Sequence, residues 1–283
     1  MKNNLTEKII IFDTTMRDGE LTPGVNMNLR QKMEVAKLLE EIGIGVIEVG
    51  YPGFYQKDFA EIQAISQEIT KSTICGLAGS KIEEINTLGQ SMRLASQSRI
   101  NLYTNVNTTT QTKLTNQDVL AIIRDSIAAA KQYTNEIEWS AFDAARCELD
   151  FLCKAVEMAI SSGANTVCIP DTFGSLSTQE FSDLISAIVN LVPNIDRTTI
   201  AVHCHDDLGL AVNNSIAALN YGVRQIECSV NGLGARKGNA DLATIIKIIS
   251  QQNNYHLDVE TSLIPQAAKL VNQITGINAQ AKF

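Results

Sequence analysis

The sequence predicts an α/β fold, a closed (β/α)8 TIM barrel, on three observations. Short β-branched runs alternate strictly with longer amphipathic stretches, which implies parallel strands joined by helical crossovers. Eight such units fit within about 250 residues, the usual length of that barrel. Ionisable residues gather just after the runs, where a barrel of this kind places its catalytic mouth. A doubly wound open sheet shares the alternation. No Gly-x-Gly-x-x-Gly follows the first run, which removes the usual dinucleotide-binding argument for it.

The elements follow in chain order. Strands are expected over 9–13, 46–50, 73–77, 99–104, 136–140, 166–171, 199–205 and 225–230, each rich in Ile, Val or Thr. Between them, apolar residues recur at helical spacing over 29–41, 117–132, 149–161, 179–191 and 213–221. Gly43, Gly163 and Gly222 stand where these helices should stop, each shortly before a strand. The segment from Asn254 carries one more helical pattern, 262–275, which either packs on the barrel or opens a further unit. With no linker, low-complexity tract or charge block, residues 1–283 are expected to form a single catalytic barrel domain.

Composition narrows the function. The chain has 283 residues, 45% of them hydrophobic and 19% charged, as an ordinary globular protein does. A net charge of −8 and an isoelectric point near 5.0 argue against nucleic acid or an anionic membrane as partner. No apolar run reaches the roughly 20 residues that span a bilayer. Residues 1–10 lack a signal-peptide pattern, so a cytoplasmic location is expected. Cys75, Cys147, Cys153, Cys168, Cys204 and Cys228 show no Cys-x-x-Cys spacing and are expected to be reduced thiols.

Two of the three histidines lie in Ala201-Val202-His203-Cys204-His205-Asp206-Asp207. Residues i and i+2 of a strand share a face, so His203 and His205 point the same way, about 6–7 Å apart along it. Two buried, hydrogen-bonded imidazoles would fit that pattern. Two acids directly after the pair favour a divalent metal. Polar residues stand at the corresponding end of the other strands: Asp18 after the first, Glu48 in the second, Asn105 at the fourth, Asp143 and Arg146 after the fifth, Asp171-Thr172 at the sixth. Buried charges are costly unless paired or metal-bound, so the convergence predicts one polar, metal-containing pocket. Asp18 is the candidate oxygen ligand beside the two histidines. A mixed N/O set with open positions suits Mg²⁺, Mn²⁺, Fe²⁺ or Zn²⁺ and a Lewis-acid role on a carbonyl. Arg17 could orient a carboxylate or stabilise a developing alkoxide, or it could simply bridge to Asp13 or Glu48. The loop from Asn231 to Asn239, with Gly232, Gly234 and Arg236, offers close backbone approach and positive charge for a phosphate.

Asp13-Thr14-Thr15-Met16-Arg17-Asp18-Gly19-Glu20, with Pro23-Gly24 beyond, resembles the signature of the DRE-TIM metallolyases. Within that group the chain is most similar to the 2-isopropylmalate, homocitrate and citramalate synthases. Ile47-Glu48-Val49-Gly50, Ile169-Pro170-Asp171-Thr172, the run from His203 to Ala211, Asn231-Gly232-Leu233-Gly234 and Gly238-Asn239-Ala240 carry the likeness across about residues 9–250. The resemblance implies a barrel that condenses acetyl-CoA with a 2-oxo acid. It implies metal ligation by Asp18, His203, His205 and Asn239, polarisation of the ketone by Arg17, and a hold on the acid's carboxylate by Thr172.

Departures from the family pattern shape the remaining expectations. Leu21 replaces the usual Gln, Asn101 a frequent His, Phe142 the acid of Ser-x-Glu-Asp, and Ala235 a usual Glu. Asn101, Ser140, Phe142 and Pro170 are expected around the acceptor's side chain, which favours a bulky or aromatic acid such as phenylpyruvate and a benzylmalate-type product. Gly232, Gly234 and Arg236 are expected at CoA. The helical and regulatory domains of typical synthases are expected to be absent from this chain. That leaves Asp143 and Glu48 as internal candidates for the catalytic base and a companion chain as another source. A homodimer is expected. Two other functions remain in view: a C–C lyase like the hydroxymethylglutaryl-CoA lyases, and a metal-binding barrel that needs a companion subunit.

Overall fold

The computed structural model describes residues 6–108 and 114–277. Eight parallel strands close into a barrel: β1 Ile10–Asp13, β2 Val46–Glu48, β3 Thr73–Ala78, β4 Ser98–Asn105, β5 Ile137–Phe142, β6 Thr166–Asp171, β7 Thr199–Cys204 and β8 Gln225–Cys228. Each strand pairs with the next, and β8 returns to β1 with Ile10 opposite Gln225 and Asp13 opposite Cys228. The outer ring is α1 Leu29–Ile42, α2 Lys57–Glu68, α3 Ile82–Ser91, α4 Asn116–Ala130, α5 Leu149–Ser162, α6 Thr178–Leu191, α7 Ala211–Ala218 and α8 Leu242–Ser250. The expected closed barrel is therefore observed.

Local sequence sets the helix limits. Asn28 with Gln31, Thr115 with Asp118 and Ser177 with Glu180 form reciprocal capping boxes that start α1, α4 and α6. Gly43 closes α1 at φ 91°, and a Cβ there would stand 2.3 Å from the Asp258 carbonyl oxygen. Gly163 and Gly222 close their helical segments in the same left-handed region.

Several strand limits differ from expectation by one or two residues, four of them at the mouth in ways that bear on the site. β2 stops at Glu48 and β5 runs on to Phe142, held by its pairing with β4 as far as Asn105. β8 stops at Cys228 because residues 230–232 form a 3₁₀ turn. β7 stops at Cys204, so His205 lies just past the strand in an antiparallel bridge with Asn239. The last helix, α9 Ile264–Thr275, packs on α1 and buries Ile264, Ala267 and Val271. Of the two placements open for that segment, it takes packing against the barrel.

Apolar side chains fill most of the space between barrel and helices. Inside the barrel the filling divides by side. Phe12, Val46 and Cys75 form a small separate cluster. Next to Cys75 in the β3–β4 ladder, Arg99 of β4 donates to Glu138 of β5 (3.1 Å) and Gln225 of β8 (2.7 Å). β4 and β8 are not neighbours, so this contact crosses the interior. One fully buried cation sits outside the barrel. Lys32 Nζ meets Glu20 at 2.8 Å and Glu61 at 2.7 Å, with Asp58 at 3.8 Å, and ties α1 to α2 and to the turn after β1. All six cysteines are free thiols, four of them buried, in line with the expected reduced state. No helix among the described residues is long and apolar enough to cross a membrane.

Candidate active site

The C-terminal ends of the strands open into a cavity of about 830 Å³. Its polar end is built from two strand termini, those of β1 and β7. After β1 the chain turns into a short 3₁₀ segment, Asp18–Leu21, which buries the Asp18 carboxylate. β7 supplies His203, and His205 follows it, the two rings 4.9 Å apart at 58°. Ligand atoms of Asp18, His203 and His205 all lie within 4.8 Å of one another. The shared face of the two histidines is thus realised, and Asp18 joins them.

Hydrogen bonds fix each of these groups. His203 Nδ1 lies 2.8 Å from Glu227 Oε2, which leaves its Nε2 for another partner. Asp18 receives Arg17 Nη1 (2.8 Å), Asn239 Nδ2 (2.8 Å) and the Ala235 amide (3.3 Å). Burial opposes ionisation of Asp18, but Arg17, His203 and the hydrogen bond from Asn239 override it and hold the carboxyl below its usual range. Burial, then the neighbouring His203, pushes His205 down to about 3, so its ring is neutral. Burial also works against charge on His203, and the bond to Glu227 more than compensates.

These residues fit a divalent ion. His205 Nδ1 and Asn239 Oδ1 are buried with no hydrogen-bond partner among the described residues, although buried polar atoms are nearly always paired. Two neutral-capable imidazoles, one anionic oxygen and one amide oxygen form a hard, mixed N/O donor set. The side chains do not choose the ion.

Arg17 lies between the ion site and Glu48. Its Nε donates to Glu48 Oε2 at 2.6 Å while Nη1 reaches Asp18, and the side chain still lines the cavity. The sequence left Asp13 or Glu48 open as a partner, and the structure selects Glu48. Asp13 instead accepts from the Thr15 amide and hydroxyl. Burial raises the Asp13 carboxyl to about 7.

The two internal candidates for a base are each held by neighbouring donors. Glu48 is fully buried and does not line the cavity; it accepts from Arg17, Thr14 (2.6 Å) and Asn101 (3.2 Å). Asp143 is clamped by both Arg146 nitrogens at 2.7 Å and by Asn107 at 2.9 Å, and it too lies off the cavity. Neither carboxylate is among the side chains that line the cavity. Glu48 instead positions Arg17.

The expected acceptor residues are brought together. Asn101, Ser140, Phe142, Pro170 and Thr172 line the cavity with Arg17, and Ser140 donates to Asn101 at 3.1 Å. Thr172 Oγ1 accepts from the Asp143 amide, and Arg236 donates to the Thr172 carbonyl at 2.8 Å. Of the three residues expected at CoA, only Arg236 reaches the cavity, bonded to Asp207. Gly232 and Gly234 lie behind it with their amides donated to Ser229 and Thr22. Asp241 caps α8, so that helix start is already supplied with an acceptor. Gly234 has a different use: a Cβ there would stand 2.6 Å from Asn239 Nδ2.

Sequence reasoning passed over an aromatic wall. Ring centroids run Tyr51 to Tyr103 at 6.2 Å, Tyr103 to Phe142 at 6.0 Å and Phe142 to Phe173 at 6.2 Å. Arg146 lies over the Phe173 ring at 4.1 Å. The run Tyr51-Pro52-Gly53-Phe54-Tyr55, just past a strand end, was the signal that could have revealed it. Glu227 and Glu138 were likewise missed. Both are buried, and burial with the Glu227 charge drives the Glu138 carboxyl well above its usual range while His203 keeps Glu227 below its own.

A family model described as HMGL-like matches residues 8–271, and the chain belongs to that family. This agrees with the resemblance carried by the Asp13–Glu20 signature. Curated relatives include the 2-isopropylmalate synthase of Hydrogenovibrio crunogenus, 38% identical over 98% of this chain and 55% of the relative. That of Methylococcus capsulatus is 39% identical over 97% of this chain and 54% of the relative. The chain spans about half the length of the curated relatives it matches. Among solved structures, the HMG-CoA lyase of Bacillus subtilis superposes with a TM-score of 0.81 at 18% identity, covering 97% of this chain and 98% of that one. The hydroxymethylglutaryl-CoA lyase of Pseudomonas aeruginosa gives 0.81 at 19% identity, covering 98% of each. At those identities the likeness is one of fold.

Proposed function

We propose that this chain is the catalytic barrel of a 2-alkylmalate-synthase-type acyltransferase, which condenses acetyl-CoA with a 2-oxo acid. The observation that carries the reading is the grouping of Asp18, His203 and His205 beside Arg17 at the polar end of a large, aromatic-walled cavity. Asp18, His203, His205 and Asn239 would hold a divalent ion such as Mg²⁺, Mn²⁺ or Zn²⁺. That ion would supply Lewis acidity at the acceptor's keto oxygen.

The chain's own residues position the acceptor and meet the charge that develops on it. Thr172 and Arg17 orient the acceptor's carboxylate and carbonyl. A base removes a proton from the thioester methyl, and the resulting carbon bonds to the keto carbon. The keto oxygen gains negative charge and then a proton, with Arg17 nearest to stabilise it. Water then cleaves the thioester, releasing the CoA thiol and a second carboxylate. Arg236, at the cavity rim, is the group proposed to meet the phosphates of CoA.

The base is assigned to no residue of this barrel. Relatives nearly twice as long support a further segment, in the same polypeptide or a companion chain, as its source. A single catalytic barrel domain over residues 1–283, a homodimer and a cytoplasmic location complete the proposal.

The acceptor is proposed to be aromatic, such as phenylpyruvate, giving a benzylmalate-type product. Phe142 stands where relatives of this pattern carry an acid, and it joins Tyr103 and Phe173 in one wall. Ring-on-ring burial is worth roughly 25 cal/mol per Å² plus an edge-to-face contribution. The test is metal-loaded protein with acetyl-CoA and a panel of 2-oxo acids, following free thiol. Thiol release that is fastest with phenylpyruvate and lost in Phe142→Glu supports the reading. Preference for 2-oxoisovalerate, unchanged in Phe142→Glu, ends the aromatic assignment. Cleavage of hydroxymethylglutaryl-CoA without condensation would assign a lyase instead.

A further inference from the structure

The aromatic wall carries a hydrogen-bond chain with a fixed direction. Tyr51 Oη lies 2.5 Å from Glu84 Oε2 and 3.2 Å from Tyr103 Oη. The same Glu84 oxygen accepts the Gly79 amide at 3.0 Å, so the carboxylate is anchored. A Cβ on residue 79 would stand 2.7 Å from that oxygen and 3.1 Å from Tyr51 Oη, so a side chain there would displace the carboxylate from this position. Tyr51 and Tyr103 both line the cavity.

A phenol has one proton to donate. The shorter, charge-assisted bond to Glu84 takes the proton of Tyr51. Burial and the Glu84 contact together raise the Tyr51 phenol far above its usual range, which keeps that proton in place. Tyr51 can then only accept from Tyr103. Tyr103 in turn spends its proton on Tyr51 and offers the cavity lone pairs alone. Around it the wall is apolar: the Phe142 ring lies 6.0 Å away, and Leu77 lines the same cavity.

We propose that Tyr103 is a specificity-determining residue, whose oxygen accepts a hydrogen bond from a ring hydroxyl of the acceptor. The chemical class selected is an aromatic 2-oxo acid bearing a phenol, in preference to the unsubstituted ring. This inference rests on the aromatic-acceptor reading above. A donor on the substrate would extend the chain Tyr103–Tyr51–Glu84, and bonds in such a chain polarise one another. An ether at the same ring position has the bulk but no proton and would leave the Tyr103 oxygen without a donor.

Binding tests this without needing turnover. Metal-loaded protein is titrated calorimetrically with phenylpyruvate, 4-hydroxyphenylpyruvate and 4-methoxyphenylpyruvate. The hydroxyl acid is expected to bind about tenfold tighter than phenylpyruvate, the magnitude of one well-made neutral hydrogen bond, and the methoxy acid no tighter. Tyr103→Phe is expected to bring the ratio of the first two dissociation constants to about one. Glu84→Gln, which removes the obligate acceptor, is expected to shrink it as well. Equal binding of the two aromatic acids, or a preference that survives in Tyr103→Phe, overturns the inference and leaves the aromatic reading standing. If neither ring binds while 2-oxoisovalerate does, the aromatic reading falls and this inference with it.

Discussion

His203 and Glu227 are partners in the β7–β8 ladder, and the register sets the imidazole Nδ1 2.8 Å from a carboxylate oxygen. That contact fixes the ring's orientation and directs Nε2 toward Asp18 and His205. Behind Glu227 lie Glu138, Gln225 and Arg99, a polar strip along one side of the barrel interior. Such outer partners of a histidine ligand typically contribute 10–100-fold to metal affinity. Glu227→Gln is expected to lose about that much, measured by competition with a chromophoric chelator. Unchanged affinity would mean that Glu227 only fills the interior.

Removal of a ligand should be more severe than removal of its support. His203→Ala, His205→Ala and Asp18→Asn are each expected to lose most of their bound metal after chelation and reloading. Asn239→Ala is expected to lose less, since it contributes one neutral oxygen. Metal content by elemental analysis decides this, and full reloading of both histidine variants would refute the site.

Arg17 should act mainly as charge develops on the acceptor. Arg17→Ala is expected to lower kcat by on the order of 10²–10³ with a modest change in KM. Glu48→Gln, which loosens the 2.6 Å contact to Arg17, should shift kcat in the same direction by less. A defect confined to KM would assign Arg17 to ground-state binding.

Lys32 gives a stability prediction remote from the chemistry. Its ammonium is fully buried and faces Glu20, Asp58 and Glu61. Lys32→Met keeps the stem and leaves Asp58 and Glu61 without their cation, with Glu20 paired to Lys57 alone, a change that costs about 3–5 kcal/mol at buried pairs. Chemical denaturation measures it, and a loss below about 1 kcal/mol would show that the cluster is well solvated.

Asp13 should leave a signature in the pH dependence of stability. Its carboxyl is raised from an ordinary 3.8 to about 7 by burial, so folding takes up a proton between those values. The associated stability is present below about pH 4 and lost as pH rises through 7. Asp13→Asn stays neutral throughout. Relative to the wild type it should therefore gain stability across that window, by on the order of 1.4 kcal/mol per pH unit. Parallel pH profiles for the two proteins would contradict the shift.

Local chemistry alone made the barrel legible. Strand and helix periods and the stops at Gly43 and Gly163 are properties of neighbours in the chain. The two-residue spacing of His203 and His205 placed both rings on one face for the same reason. Asp18 could be joined to them because every parallel strand ends at the same mouth. Distances across the barrel were beyond that reasoning. Asp143 carries a carboxylate in the right region, and Arg146 three residues later and Asn107, just past the end of β4, clamp it. Gly234 looked like a phosphate cradle, and its missing Cβ makes room for Asn239 instead. Tyr51, Glu84, Tyr103 and Phe173 come from two loops, a helix and a strand and come together only once the sheet closes. Pairing between residues far apart in sequence depends on strand order, register and twist together, and those are fixed by the packing of the whole chain.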